Sequence, residues 1–144
     1  MSSLINKVLF TRAGFGLTVV RIVVGIIFAA HGSQKLFGMF GGYGIAGTAQ
    51  YMESLGLAPG HLMAILSGGT EFFGGLALII GLLTRPAALG LTFLSLVAIF
   101  SVHIHNGLFM ANNGYEFALA LLGGSIAILI EGAGKLSVDR AITD

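Results

Sequence analysis

Residues 61–83 read HLMAILSGGTEFFGGLALIIGLL, an almost unbroken apolar and small-residue run with one carboxylate, Glu71, near its middle. A helix needs roughly 20 mainly apolar residues to cross the ~30 Å hydrocarbon layer of a bilayer. Pro59-Gly60 open the run and Thr84-Arg85-Pro86 close it. Nothing in it alternates between apolar and polar as a barrel strand would, so the pattern predicts a membrane-spanning helix.

The same reading extends outward in both directions. Three further spans are predicted over residues 14–34, 87–105 and 115–130, the last being the shortest. Composition agrees: 56% of the 144 residues are hydrophobic and 9% are charged, where a soluble domain carries about 25% charged residues. The mean hydropathy is +0.96. The expected fold is therefore an all-α integral membrane protein: one domain, 1–144, forming a bundle of four transmembrane helices. Its 23 glycines show no Gly-x-y repeat and suit close helix approach in lipid.

Several function classes drop out. The chain has no cysteine, so it brings no thiol redox chemistry, disulfide or Cys-ligated metal of its own. A net charge of +1 gives no footprint for nucleic acid. Lys7 and Arg12 followed by an apolar run imitate a secretory leader. That run is too long, however, ends in His31-Gly32-Ser33-Gln34-Lys35 without a small-residue cleavage site, and is followed by more spans. No Walker-type loop and no G-x-S-x-G elbow occur.

The connections differ in kind. Thr84-Arg85-Pro86 predicts a tight turn joining antiparallel neighbours. The connection from Asn106 to Gly114 has an apolar middle, Leu108-Phe109-Met110, expected to dip toward the membrane. The long connection 37–60 starts with a glycine-rich stretch to Gly44 and then spaces Ile45, Ala49, Met52 and Leu55 helically. This predicts a short amphipathic helix on the membrane surface, with an irregular loop as the alternative. Lys7, Arg12, Arg85, Lys135 and Arg140 fall on one side of the predicted spans and Lys35 on the other. By the positive-inside rule both termini face the cytoplasm.

Ionisable residues at membrane depth cost about 2.5–3.5 kcal/mol each on insertion scales, so they usually pair or serve function. Arg21, Gly25, Phe28, Gly32 and Lys35 share one helix face. Glu71 is flanked on its own face by Gly68 and Gly75, which admit a neighbouring helix. Antiparallel packing brings Arg21 and Glu71 to similar depth and allows a deep charge pair, either structural or built around a functional carboxylate, with no pairing as the third alternative.

A second polar level lies outward. His31, Gln34 and Lys35 end the first span, Ser101, His103, His105 and Asn106 end the third, and Glu116 begins the fourth. His103 and His105 are about 200° apart on a helix, so one of them faces away from the bundle; the sequence leaves open which. Three readings stand. These residues are helix ends wetted by headgroups. Or they form a pocket that binds a small apolar ligand or a quinone head and exchanges protons, with His31, Lys35, Glu71, His103 and Glu116 as first candidates and Gln34, His105 and Asn106 as second. Or His31 with His103 or His105 holds a metal or haem. No tight His/Asp/Glu ligand motif and no C-x-x-C-H are present, so no metal is assigned and haem ranks below quinone.

The same residues carry a family resemblance. Arg21 followed by His31-Gly32-Ser33-Gln34-Lys35-Leu36-Phe37-Gly38, then Gln50-Tyr51-Met52-Glu53-Ser54-Leu55-Gly56, Glu71-Phe72-Phe73-Gly74-Gly75-Leu76-Ala77, Gly81-Leu82-Leu83-Thr84-Arg85 and Gly134-Lys135-Leu136-Ser137-Val138-Asp139-Arg140 run in order along nearly the whole chain. Together they resemble the DoxX family of small four-helix bacterial inner-membrane proteins. The resemblance implies a link to thiosulfate:quinone oxidoreduction or to oxidative and thiol stress. It also implies an oxidoreductase or accessory role with a soluble or membrane redox partner subunit. Lipid is the expected surrounding and a homo-oligomer an expected assembly. A small oligomeric permease or channel subunit, and a non-catalytic membrane assembly partner, are the alternatives.

Overall fold

The computed structural model describes residues 3–10 and 14–143, and among them every regular element is helical. The α-helices are α1 (Ser3–Leu9), α2 (Phe15–Phe37), α3 (Gly44–Ser54), α4 (Gly60–Ile80), α5 (Thr84–Ala98), α6 (Glu116–Glu131) and α7 (Val138–Thr143). Past Ala98, α5 continues through a π turn at Ile99–His103 and a 3-10 turn at Ile104–Asn106.

Among the described residues, three helical stretches are long and apolar enough to cross a membrane: Phe15–Phe37, Gly60–Ile80 and Thr84–Asn106. The fourth expected span is present as α6, but its 16 residues extend only about 24 Å, short of the ~30 Å layer. Length alone thus supports three spans, not four. The helices nevertheless share one core, in which Val24 and Phe28 of α2 meet Leu78 of α4, Ala88 and Leu91 of α5, and Leu121 and Ile128 of α6.

Glycines set the distance between α2 and α4. A methyl group at Gly32 would lie 2.3 Å from the Phe72 amide nitrogen, and one at Gly75 would lie 2.4 Å from the Ala29 nitrogen. The two backbones are therefore in direct contact along this seam, the packing that small residues make possible in lipid. Helix α3 forms where the periodicity predicted it, and its buried face (Thr48, Ala49, Met52) turns onto α4 and α2. It is tied there by the Gly60 N–H, which donates to Glu53 Oε1 at 3.2 Å.

The α4–α5 connection differs from expectation. The chain turns at Gly81-Leu82-Leu83, and Thr84-Arg85-Pro86 form the first turn of α5. Proline is tolerated there because its missing N–H would have had no helical acceptor. Leu83 adopts a left-handed backbone, φ 52°, which is costly for a residue with a Cβ. Asp139 of α7 compensates: its carboxylate accepts the Leu83 amide at 2.8 Å and the Thr84 amide at 2.9 Å. These are two of the orphan donors at a helix start. Arg85 works at the opposite kind of end. It donates to the Leu129 and Ile130 carbonyls at 3.1 Å each, near the end of α6, and to the Lys7 carbonyl at 3.0 Å. Arg12, counted in the charge asymmetry, lies outside the described residues.

Candidate functional site

The deep charge pair joins different residues from those expected. Glu71 pairs with Lys35, and Arg21 does not reach it. The seam glycines set the reason. Their register puts Arg21 level with Gly81, where a Cβ would clash with Arg21 Nη1. Gly81 is ten residues, about 15 Å, beyond Glu71 along α4. Arg21 is fully buried and donates through Nη2 to the Leu136 carbonyl, beneath the segment that carries Asp139. Its role is to fasten the chain's C-terminal segment to α2.

Lys35 lies on the same face of α2 as Arg21, as its spacing requires, but toward the other end of the bundle. The Lys35 side chain is 28% exposed and that of Glu71 9%. Gly68 makes this approach possible, since a Cβ there would meet Leu36 and the Lys35 Cβ at about 3 Å. A carboxylate held in a mostly apolar bundle needs such a partner, because an isolated buried charge is far more costly than a paired one.

The pair borders a cavity of about 750 Å³ lined by residues of α2, α3, α4, α5 and α6. Most of its wall is apolar: Phe28, Met52, Leu55, Leu57, Met63, Leu66, Phe93, Leu94, Val97, Ala98, Val102, Phe117 and Leu121. His31, Gln34, Lys35, Glu71 and His103, all named from the sequence, line it. A few convergent polar groups in a largely apolar concavity of this size are the usual make-up of a small-molecule site. Gly41, Gly42 and Tyr43, from the glycine-rich stretch after α2, also reach the wall. Gln34 holds that stretch by donating to the Phe40 carbonyl at 3.2 Å. Gly42 packs so tightly on Gln34 that a Cβ there would sit 2.5 Å from its backbone.

His103 is the inward-facing one of the two α5 histidines. It is half-buried on the cavity wall, while His105 is exposed and off the wall. The π turn that ends at His103 shifts the helical register there, a distortion common at functional sites. His103 Nδ1 sits 2.8 Å from the Asn113 carbonyl, which Asn106 also approaches, donating at 3.1 Å. Asn106 and His105 thus stand outside the cavity, Asn106 as a brace for the loop beyond α5. Glu116 is a brace too: its Oε1 accepts the Met110 amide at 2.8 Å, and it does not line the cavity. His31 is exposed at the rim, its ring 6.0 Å from that of Phe117. Among the described residues, no three His, Asp or Glu side chains gather closely enough to hold a metal ion.

Residues not singled out from the sequence complete the wall: Ser67 and Ser95, both buried, with Thr48 and Tyr51 of α3. Each serine sits inside an apolar run as an isolated hydroxyl, and only the helix packing reveals that two helices aim theirs into one space.

This region is covered by a known family. The DoxX family model matches residues 16–104, from the first turn of α2 to just past the π turn, so it contains Lys35, Glu71 and His103. The chain belongs to the DoxX family. Among its relatives, the inner membrane protein YqjF of Escherichia coli (strain K12) is 35% identical over 133 residues, covering 88% of this chain and 92% of that protein. A Bacillus subtilis (strain 168) protein named "Putative oxidoreductase CatD" is 32% identical over 124 residues, covering 86% and 84%. Inner membrane protein YphA of E. coli (strain K12) is 31% identical over 129 residues, covering 86% and 88%. No solved structure matches the chain. Apolar helices of spanning length and relatives named as inner membrane proteins assign this DoxX protein to a membrane.

Proposed function

We propose that this DoxX-family protein binds a small apolar ligand, such as a quinone, in the cavity beside Lys35 and Glu71. In this reading it acts as an oxidoreductase or accessory subunit of the bacterial cytoplasmic membrane. The observation that carries the reading is an ion pair bordering a cavity of about 750 Å³ whose remaining wall is mostly apolar. The oxidoreductase part is supported by the printed name of the B. subtilis relative. With no cysteine in the chain, electrons must come from the ligand or a partner subunit, because the hard redox chemistry belongs to a cofactor.

Within this reading α6 crosses the membrane as a fourth, short span, lengthened by the turns that flank it. The Lys/Arg asymmetry supports cytoplasmic termini, which turns the cavity end of the bundle outward. Lys35 and Glu71 orient the ligand's head, and His31 and His103 exchange protons with it near the rim.

The test is to purify the protein from its native membrane without added quinone, extract bound lipids and identify them by mass spectrometry. A stoichiometric quinone-class compound is expected, and it should be lost in a Glu71→Gln, His103→Ala double variant. No quinone, together with a wild-type redox phenotype of that variant in cells, overturns the reading. Flux through liposomes carrying the protein would point instead to an oligomeric permease.

A further inference from the structure

The cavity beside Lys35 and Glu71 reaches the outside of the bundle at two levels. His31 and Tyr43 form an exposed rim near the end of α2. Leu66 of α4 and Phe93 of α5 line the same cavity, yet they are 53% and 65% exposed. Leu66 lies about 9 Å inside the start of α4, and Phe93 about 13 Å inside the start of α5. Both belong to helical stretches of spanning length, so at these depths their side chains meet hydrocarbon and not water. Further along, the α4–α5 seam is closed. A Cβ on Gly90 would lie 3.1 Å from Thr70 Cγ2, and one on Gly74 would lie 3.4 Å from the Leu91 side chain. The cavity therefore opens sideways between the two helices, next to the level where that contact begins.

A second concavity, about 290 Å³, continues along the seam from this opening. It runs toward the α4–α5 turn between Gly69, Phe73 and Ala77 of α4 and Pro86, Ala87 and Gly90 of α5. Leu66, Gly69, Phe73 and Ala77 follow helical steps of three and four, and so do Pro86, Gly90 and Phe93. Groove and opening thus share one face of each helix. The residues lining the groove carry no charge, whereas the cavity holds an ion pair. A pocket with polar groups, an opening at hydrocarbon depth and an apolar furrow follow one another in line.

From this succession we infer that the ligand is a long-chain amphiphile of the bilayer, which enters sideways between Leu66 and Phe93 and leaves its chain in the α4–α5 groove. The inference rests on the cavity being the ligand site proposed above, and it adds the route and the seat of the chain. Lipid around the groove is as apolar as the groove wall, so the chain gains little from the hydrophobic effect. Its gain is contact, because the side chains missing at Gly69 and Gly90 let it lie close to helix backbone. The groove thus sets the direction in which the chain leaves, and the polar end of the cavity supplies the affinity.

The test uses hexadecanol carrying a photoactivated diazirine, either beside the hydroxyl or midway along the chain. The full chain in phosphatidylcholine vesicles is irradiated with each probe, and the adducts are located by mass spectrometry. The head-labelled probe should mark cavity residues such as Met63 and Val97, and the chain-labelled probe Phe93 and Phe73. Excess unlabelled hexadecanol should suppress both sets. Gly69→Phe fills the groove from a position with open space around its Cβ, so it should keep the fold and cut both sets about 10-fold. Gly123→Phe adds the same bulk at an equally open, exposed position of α6 and should leave them unchanged. Cavity adducts that persist in Gly69→Phe overturn the lateral route and leave the ligand site standing. So do suppressible cavity adducts accompanied by chain adducts spread evenly over other exposed residues such as Phe100 and Ile126. Absence of any suppressible adduct in the cavity removes the ligand site itself, and the inference with it.

Discussion

Asp139 accepts the backbone amide of Thr84 at 2.9 Å across 55 residues of sequence. The carboxylate is fully buried, and with its second oxygen on the Leu83 amide it caps α5 from a different helix. The Asp139 amide completes the clip by donating to the Gly81 carbonyl at 2.8 Å. An ordinary N-cap is supplied by the residue at the helix start; here a distant segment supplies it, so capping and tertiary closure are one interaction.

Removing this clip should be expensive. Asp139→Ala leaves the buried Thr84 amide and the part-buried Leu83 amide without acceptors and a left-handed Leu83 without support, for a loss of about 2–4 kcal/mol. Asp139→Asn keeps one good acceptor and should lose about half as much. Thermal unfolding in detergent measures both, and a loss under about 0.5 kcal/mol for the alanine variant would show that the clip is dispensable.

The glycine seam gives a sharper contrast. Gly32→Ala drives a methyl group into the Phe72 backbone, at 2.3 Å, where no side chain can yield. The expected cost is about 3 kcal/mol or more. Gly69, in α4, has open space around its Cβ position, so Gly69→Ala should be neutral or gain about 0.5–1 kcal/mol through helix propensity. Equal behaviour of the two variants in a stability assay would refute the direct backbone contact of α2 and α4.

Lys35 and Glu71 should behave as a coupled unit. Lys35→Met leaves Glu71 buried and unpaired. Because the Lys35 side chain is 28% exposed, the loss should fall at the lower end for such pairs, about 2–3 kcal/mol. Adding Glu71→Leu to Lys35→Met should bring stability back to within about 1 kcal/mol of the parent. Additive losses in the double-mutant cycle would mean that the two groups do not interact.

Orientation is directly measurable because the chain contains no cysteine. Tyr43→Cys and Lys135→Cys, both at exposed positions, should react with a membrane-impermeant maleimide from opposite faces of sealed vesicles. In right-side-out vesicles the residue 43 variant is expected to label and the residue 135 variant to stay protected. The reverse pattern would invert the proposed topology.

Much of this architecture was legible in the sequence, because continuous apolar runs have few structural solutions in a bilayer. The spans at residues 61–83 and 14–34 appear as α4 and α2 with ends shifted by a few residues. Thr84-Arg85-Pro86 was misleading because proline both breaks helices and begins them, and only the Asp139 cap decides between the two. The Arg21–Glu71 pairing failed on axial register. A helical wheel puts Arg21 and Lys35 on one face, but it carries no information on how far α2 slides along α4, which the glycine contacts determine. The histidines were undecided for a related reason, since a π turn alters the angular count that a wheel assumes. Asp139 was visible only as part of a family motif, because a contact spanning 55 residues leaves no local periodicity.

The late position of that aspartate bears on how the protein is made. Membrane insertion is vectorial: α2, α4 and α5 leave the ribosome before residues 136–139 exist as peptide. Until then Arg21 lacks the Leu136 carbonyl and the start of α5 lacks its acceptor. The nascent helices thus wait in the bilayer as an unlatched set, and synthesis of a few residues after α6 converts them into a locked one.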